Sequence, residues 1–142
     1  MAKENFVWKL EFVAKWSVLP VSWLVFYLYF FSSRRGFSEA ANPLSGHEAL
    51  IELHKNIFTN SIEQFVMSMA LQITLISWIS AVKTQVIIPM LSLSFVVGRI
   101  LFSLGYPKRR SFGISLTMFP CLVITIYSLF MFLSHVSIYP TV

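Results

Sequence analysis

The chain has 142 residues, of which 56% are hydrophobic and 12% charged, with a formal net charge of +5. A water-soluble domain of this length does not bury so much apolar surface, so the composition excludes an ordinary soluble domain and indicates an integral membrane protein. No basic stripe of nucleic-acid-binding type is present, so we expect no nucleic-acid partner and interpret the net charge as a signal of membrane topology.

Four apolar segments of about 20 residues follow one another along the chain, and about 20 such residues cross the ~30 Å hydrocarbon core of a bilayer as a helix. These segments are 12–31, 62–82, 86–104 and 114–133. They do not show the alternation that membrane β-strands require. We therefore predict an all-α, four-helix membrane bundle that forms one domain over residues 1–142, with a bend in the first helix at Pro20.

The connections between these segments differ in length. The second and third segments are joined by a tight hairpin at Lys83–Gln85, and the third and fourth by residues 105–113. The first two are separated by residues 32–61, in which Ala49–Asn56 has helical spacing. That stretch is either an extension of the second helix or a short surface helix.

The Lys and Arg residues are divided unequally between the two sides of the predicted bundle. The side of the long first loop holds Arg34, Arg35, Lys55, Lys108, Arg109 and Arg110, and the other side holds Lys3, Lys9, Lys15 and Lys83. Because Lys and Arg accumulate in cytoplasmic loops, this bias places the long first loop in the cytosol and both termini outside or in the lumen.

One arginine, Arg99, lies inside the third apolar segment, where a charge facing lipid costs about 2.5–3.5 kcal/mol. Glu63, at the start of the second segment, is the acidic counterpart at a similar depth, and the two helices are antiparallel neighbours. The pattern predicts an ion pair between Glu63 and Arg99. A capping box formed by Asn60 and Glu63 at a helix start is the other interpretation of the acidic residue.

Two polar stripes meet near this membrane boundary. Arg99, Ser103 and Tyr106 have the spacing i, i+4, i+7, which places them on one helical face. Asn60 and Glu63 share a face of the preceding helix. A guanidinium, a hydroxyl, a phenol, an amide and a carboxylate together suit an anionic or zwitterionic ligand better than an apolar one.

The stretches NSIEQF, residues 60–65, and GRILFSLGYPKR, residues 98–109, resemble the MAPEG family, the membrane-associated proteins in eicosanoid and glutathione metabolism. The family pattern has Asn-x-x-Glu in the second helix and Arg-x6-Tyr along the third. In this chain the pattern residues are Asn60, Glu63, Arg99 and Tyr106. The stretch RSFGISLTMFP, residues 110–120, is further similar to the mattrin-like branch of animal membrane proteins.

The resemblance implies a homotrimer in the endoplasmic reticulum or another secretory-pathway membrane. Glutathione would bind between protomers near the cytosolic boundary, and a lipophilic substrate would enter from the lipid bilayer. The implied activity is that of a glutathione-dependent transferase or peroxidase without a metal ion. The implied glutathione contacts are Asn60, Glu63, Arg99, Ser103, Tyr106, Arg109 and Arg110, of which Arg99 and Tyr106 would act on the thiol.

The chain departs from the family pattern at two positions. Phe58 lies where many family enzymes have a basic run containing histidine, and Phe102 lies where they have Tyr or His. Together with the mattrin-like stretch, these residues favour an alternative, a non-catalytic membrane protein of the secretory pathway that acts through protein or lipid contacts. We interpret His47 and His54 as loop histidines without a metal role.

Overall fold

In the computed structural model, the described residues are 2–37, 49–109 and 111–138. Within them the backbone forms α1 (Ala2–Trp16), α2 (Val18–Gly36), α3 (Ala49–Ile76), α4 (Ala81–Gly105) and α5 (Ser111–Ile138). This confirms the predicted all-α fold. The α3–α4 turn and the α4–α5 turn lie at opposite ends of the bundle, because the 25-residue helix α4 separates them.

The first long helix is interrupted at Ser17, which separates α1 from α2. Pro20 has no backbone N–H, so the carbonyl of Trp16 has no partner one turn ahead, and the helix is weakened there. The helical hydrogen bonding continues on either side of this break, since the Ser17 N–H donates to the Val13 carbonyl at 2.9 Å and the Val21 N–H to the Ser17 carbonyl at 3.0 Å. The predicted bend at Pro20 therefore corresponds to a break one turn earlier.

The α3 helix begins at Ala49, so residues 49–56 extend the second helix rather than forming a separate surface helix. The described residues of the predicted loop over 32–61 are therefore helical at both of its ends, over 32–36 in α2 and 49–61 in α3. The end of the second predicted segment at residue 82 is wrong, since α3 ends at Ile76.

The predicted hairpin at Lys83–Gln85 is also wrong, because these residues lie in the first turns of α4. The chain reverses at Ser77–Ser80, and Ser80 precedes α4 in an extended conformation. Hydropathy does not mark this turn, because it contains an apolar residue, Ile79, that is buried as a core residue would be. The ammonium of Lys9 donates hydrogen bonds to the carbonyls of Ile76, the last residue of α3, and of Ile79 in the turn, at 3.1 and 2.6 Å.

Three helical segments are long and apolar enough to cross a membrane: Phe6–Gly36, Ala81–Gly105 and Ser111–Ile138. The α3 helix is not among them, although four spans are predicted. It carries amides along its length, of which Gln64 and Gln72 are buried inside the bundle. The two glutamines of the second predicted span thus face the protein interior, whereas Glu63 at its start is exposed.

Helices α4 and α5 approach each other closely where they cross at Gly98 and Gly113. A Cβ atom on Gly98 would lie 2.6 Å from the Thr117 side chain, and one on Gly113 would lie 2.7 Å from the Gly98 carbonyl oxygen. Only glycine permits this separation of the two backbones. The crossing brings Thr117 of α5 beside the face of α4 that carries Arg99.

Candidate functional site

The guanidinium of Arg99 is enclosed in the bundle, with no exposed surface. Its Nη1 donates a hydrogen bond to Oδ1 of Asn60 at 2.8 Å, and its Nη2 donates to the hydroxyl of Thr117 at 2.6 Å. The rings of Phe102 and Phe95 lie 4.9 and 5.8 Å from its central carbon. Arg99 therefore joins α3, α4 and α5 through charge-assisted hydrogen bonds and cation–π contacts.

Asn60 lies in the middle of α3, eleven residues after its start at Ala49, so the capping box is wrong. Its side chain is half-buried, and its Nδ2 makes no hydrogen bond within the described part of the chain. Because Oδ1 accepts from the arginine, the amide orientation is determined by that bond. The two N–H donors of Nδ2 are left available for another acceptor.

Glu63 is exposed on the outer face of α3, one turn beyond Asn60. No salt bridge joins Glu63 to Arg99 in residues 2–37, 49–109 and 111–138. The predicted ion pair is therefore not formed within the described part of the chain. Helical geometry explains this, because Asn60 occupies the position on α3 that faces the arginine, and Glu63, three residues later, is rotated by about 60° from it toward the exposed side.

Ser103 and Tyr106 lie close to Arg99 along α4 but are directed to different neighbours. The Ser103 hydroxyl donates to the backbone carbonyl of Arg99 at 2.8 Å, and its side chain lines a cavity of about 260 Å³ between α2, α3 and α4. Tyr106 directly follows the end of α4, and its ring packs edge-on against Phe102 with centroids 5.4 Å apart. The hydroxyl of Ser103 is not brought to the guanidinium.

The basic turn after α4 is at the surface. Arg109 is exposed, and its backbone N–H donates to the Gly105 carbonyl at 2.6 Å. Arg110 lies outside the described residues. The exposed side chains of Arg34 and Lys55 lie at the same end of the bundle, at the end of α2 and the beginning of α3. This end is therefore rich in positive charge.

Comparison with known proteins gives one family. The MAPEG family model matches residues 12–130, which is most of the chain. The chain belongs to the MAPEG family. The match runs from α1 into α5 and includes Asn60, Glu63, Arg99 and Tyr106. No curated protein and no solved structure matches the chain.

The two phenylalanines that depart from the MAPEG pattern both pack against other helices of the chain. Phe58 stacks on Phe31 of α2 with ring centroids 6.3 Å apart. Phe102 is 2% exposed and belongs to a cluster with Tyr27 and Ile57. Each aromatic ring makes an apolar contact between helices.

Two residues of this MAPEG protein form a polar contact that the sequence did not suggest. The hydroxyl of Tyr27 and Nδ1 of His54 lie 3.1 Å apart, joining α2 to α3. The interpretation of His54 as a loop residue is wrong, since it lies in the second turn of α3. Burial, and then the charge of Arg34, hold the pKa of His54 below its usual value.

Thr117 is the site residue that sequence reasoning missed. Its signal is the spacing Gly113-x3-Thr117 on α5, a pair of small residues one turn apart that permits close helix contact.

For metals, the described residues contain no group of three His, Cys, Asp or Glu side chains able to hold an ion.

Proposed function

We propose that the protein is a glutathione-dependent MAPEG membrane enzyme, a transferase or peroxidase that acts on lipophilic substrates. The observation that carries the proposal is the 2.8 Å hydrogen bond between Arg99 and Asn60, which leaves the Nδ2 donors of Asn60 free one turn from the exposed Glu63. In this proposal Arg99 is a positioning residue.

Glutathione carries an amine and a carboxylate on the same carbon of its γ-glutamyl residue. The N–H donors of Asn60 suit that carboxylate or the neighbouring amide carbonyl, and the carboxylate of Glu63 suits the ammonium group. The two side chains lie at i and i+3 of α3, within about 5–6 Å at their Cβ atoms. Their donor and acceptor sets therefore fit an amino-acid zwitterion.

The thiol of glutathione has a reference pKa near ~8.5, and its thiolate is the nucleophile. In the proposed site Arg109 supplies positive potential at the end of α4, which favours the thiolate. The phenol of Tyr106 donates a hydrogen bond to the sulfur. The thiol proton passes to solvent, and the sulfur attacks the electrophilic carbon of a lipophilic molecule that reaches the site from the bilayer. A C–S bond forms as a leaving group departs from that carbon with its electron pair. With a lipid peroxide, the sulfur attacks one oxygen, the O–O bond breaks, and the other oxygen leaves as an alkoxide that takes up a proton.

The same surface supports a homotrimer. Glu63 lies on an exposed face of α3 that also carries Val66, Ala70 and Ile73. A charge facing lipid costs about 2.5–3.5 kcal/mol, whereas a neighbouring protomer covers the carboxylate and supplies partners. We place this face at the protomer boundary, in an endoplasmic reticulum or secretory-pathway membrane, with the basic end of the bundle in the cytosol.

The test is the thermal stability of the purified protein in mild detergent with and without millimolar glutathione. Ligand at about 100 times its dissociation constant stabilises the folded state by about 2.7 kcal/mol. We expect this stabilisation in the wild type and its loss in Glu63→Gln, which removes the ammonium's partner. Glu52→Gln is the matched control, because Glu52 is also exposed on α3, near its start.

Tyr106→Phe separates binding from chemistry. It removes only the hydroxyl, so we expect glutathione to stabilise this variant as it does the wild type, with a lower rate of conjugation to a lipophilic electrophile. Absence of any shift in the wild type contradicts the proposal.

The second candidate is a non-catalytic MAPEG protein that acts through protein or lipid contacts. It is favoured by the packing of Phe58 on Phe31 and of Phe102 against Tyr106, which leaves apolar rings at positions where a glutathione site needs polar ones. If this candidate is correct, glutathione does not change the stability of the wild type or of any variant. Phe102→His, which restores a polar ring, then also shows no stabilisation by glutathione.

A further inference from the structure

A long apolar groove lies on the outer surface of the bundle, at the end opposite to the basic turn. It has a volume of about 450 Å³ and runs between α4 and α5, beside the end of α3. Its floor is a buried cluster of Leu75, Ile79 and Ile124. Ile87 of α4 and Val123 of α5 form its walls. The volume lies within the range of about 300–1,000 Å³ that is typical of small-molecule sites.

The mouth of the groove carries one cation, Lys83, in the first turn of α4. Lys83 is exposed and makes no hydrogen bond or salt bridge with the described part of the chain. The lysines of α1 at this end are engaged differently. Lys9 donates to the carbonyls of the α3–α4 turn, and Lys15 lies 3.8 Å from the carboxylate of Glu11. Lys83 is thus an unpaired charge placed directly above an apolar surface.

The length of the groove fits one leaflet of a bilayer. From Lys83 to Leu91, the groove follows eight residues of α4, or about 12 Å at 1.5 Å per residue. Half of the ~30 Å hydrocarbon core is about 15 Å. Both walls belong to helices that are long and apolar enough to cross a membrane, so the groove faces acyl chains and its mouth faces headgroups.

We propose that this groove binds a glycerophospholipid with a net negative headgroup, such as phosphatidylserine. One acyl chain lies between Ile87 and Val123, and the headgroup contacts the ammonium of Lys83. Charge complementarity selects the anionic lipid, because the mouth presents a cation and no carboxylate among its lining residues. Lys83 is sixteen residues, or about 24 Å, from Arg99 along α4, so this site is separate from the proposed glutathione site.

The test is native mass spectrometry of the purified protein with equal amounts of dioleoyl phosphatidylserine and dioleoyl phosphatidylcholine, which have the same acyl chains. One lysine at a membrane surface contributes about 1 kcal/mol toward an anionic lipid, so we expect about a fivefold preference for phosphatidylserine. Lys83→Gln should reduce the ratio to near one. Lys108→Gln, an exposed lysine at the other end of the bundle, should leave it unchanged.

The acyl-chain part of the proposal has its own variant. Val123 is 48% exposed, so Val123→Trp fills the groove without entering the core, and we expect lower occupancy of both lipids. Soluble glycerophosphoserine, which has the headgroup but no chains, should not displace the bound lipid. An unchanged lipid ratio in Lys83→Gln, or displacement of the lipid by glycerophosphoserine, overturns the proposal. It is also overturned if Val123→Trp changes the oligomeric mass and leaves lipid occupancy intact, because a second protomer would then cover the groove.

Discussion

Arg99 and Thr117 are joined by a 2.6 Å hydrogen bond from Nη2 to the threonine hydroxyl, across the tight crossing of α4 and α5. Thr117 is 5% exposed, and its hydroxyl also lies 3.0 Å from the carbonyl of Ile114. The acceptor for the arginine is therefore supplied by a helix whose position depends on Gly98 and Gly113.

The first prediction concerns this bond. Thr117→Val keeps the shape of the side chain but leaves Nη2 of Arg99 buried without an acceptor, and hydrogen bonds to charged groups contribute about 1.5–3 kcal/mol. We expect the free energy of unfolding in mixed micelles to fall by that amount. Thr125→Val is the control, because the Thr125 hydroxyl is exposed and bonds only to the Cys121 carbonyl of its own helix. An equal loss in the two variants would contradict the role of Thr117.

The second prediction concerns the partner of Arg99 on α3. In a double-mutant cycle, Arg99→Leu and Asn60→Leu should show a coupling energy of about 0.5–3 kcal/mol, because the two side chains are in contact. Arg99→Leu and Glu63→Leu should add within about 0.3–0.5 kcal/mol. Unfolding of the wild type, the three single variants and the two double variants measures both couplings. A coupling to Glu63 as large as that to Asn60 would mean that the charged pair forms after all.

The sequence predicted the helices well, because their apolar runs have the length of a membrane span, and it identified Asn60 and Arg99 as belonging to one site. It could not assign the contact of Arg99, since Asn60 and Glu63 are one turn apart and only the rotation of α3 selects between them. The α3–α4 turn was displaced by a few residues because Trp78 and Ile79 continue the apolar pattern through it. Thr117 was missed because its role depends on a helix crossing that hydropathy does not encode.

The third prediction tests that crossing. A Cβ on Gly113 would meet the backbone nitrogen of Phe102 and would lie 2.7 Å from its Cα, and backbone atoms cannot rotate away as a side chain can. Gly113→Ala should therefore push α4 away from α5. We expect the free energy of unfolding to fall by about 1–3 kcal/mol, the usual cost of overpacking. Gly36→Ala, at the end of α2, has no atom within 4 Å of the added Cβ and should not lower stability. Thermal unfolding in detergent compares the two variants, and similar midpoints would contradict the close crossing.

The last prediction concerns pH. Burial and the nearby Arg34 lower the pKa of His54 in the folded protein from its usual value of 6.5, whereas the unfolded chain retains that value. As the pH falls below about 6.5, the unfolded state takes up a proton at His54 before the folded state does, so stability decreases. Above that pH the contribution of His54 is fully present.

We expect His54→Gln to reduce the loss of stability between pH 7 and pH 5, when unfolding is measured at each pH. Asn56→Gln, an exposed change in the same turn of α3, should keep the wild-type pH dependence. The assignment to His54 fails if His54→Gln and the wild type lose stability in parallel.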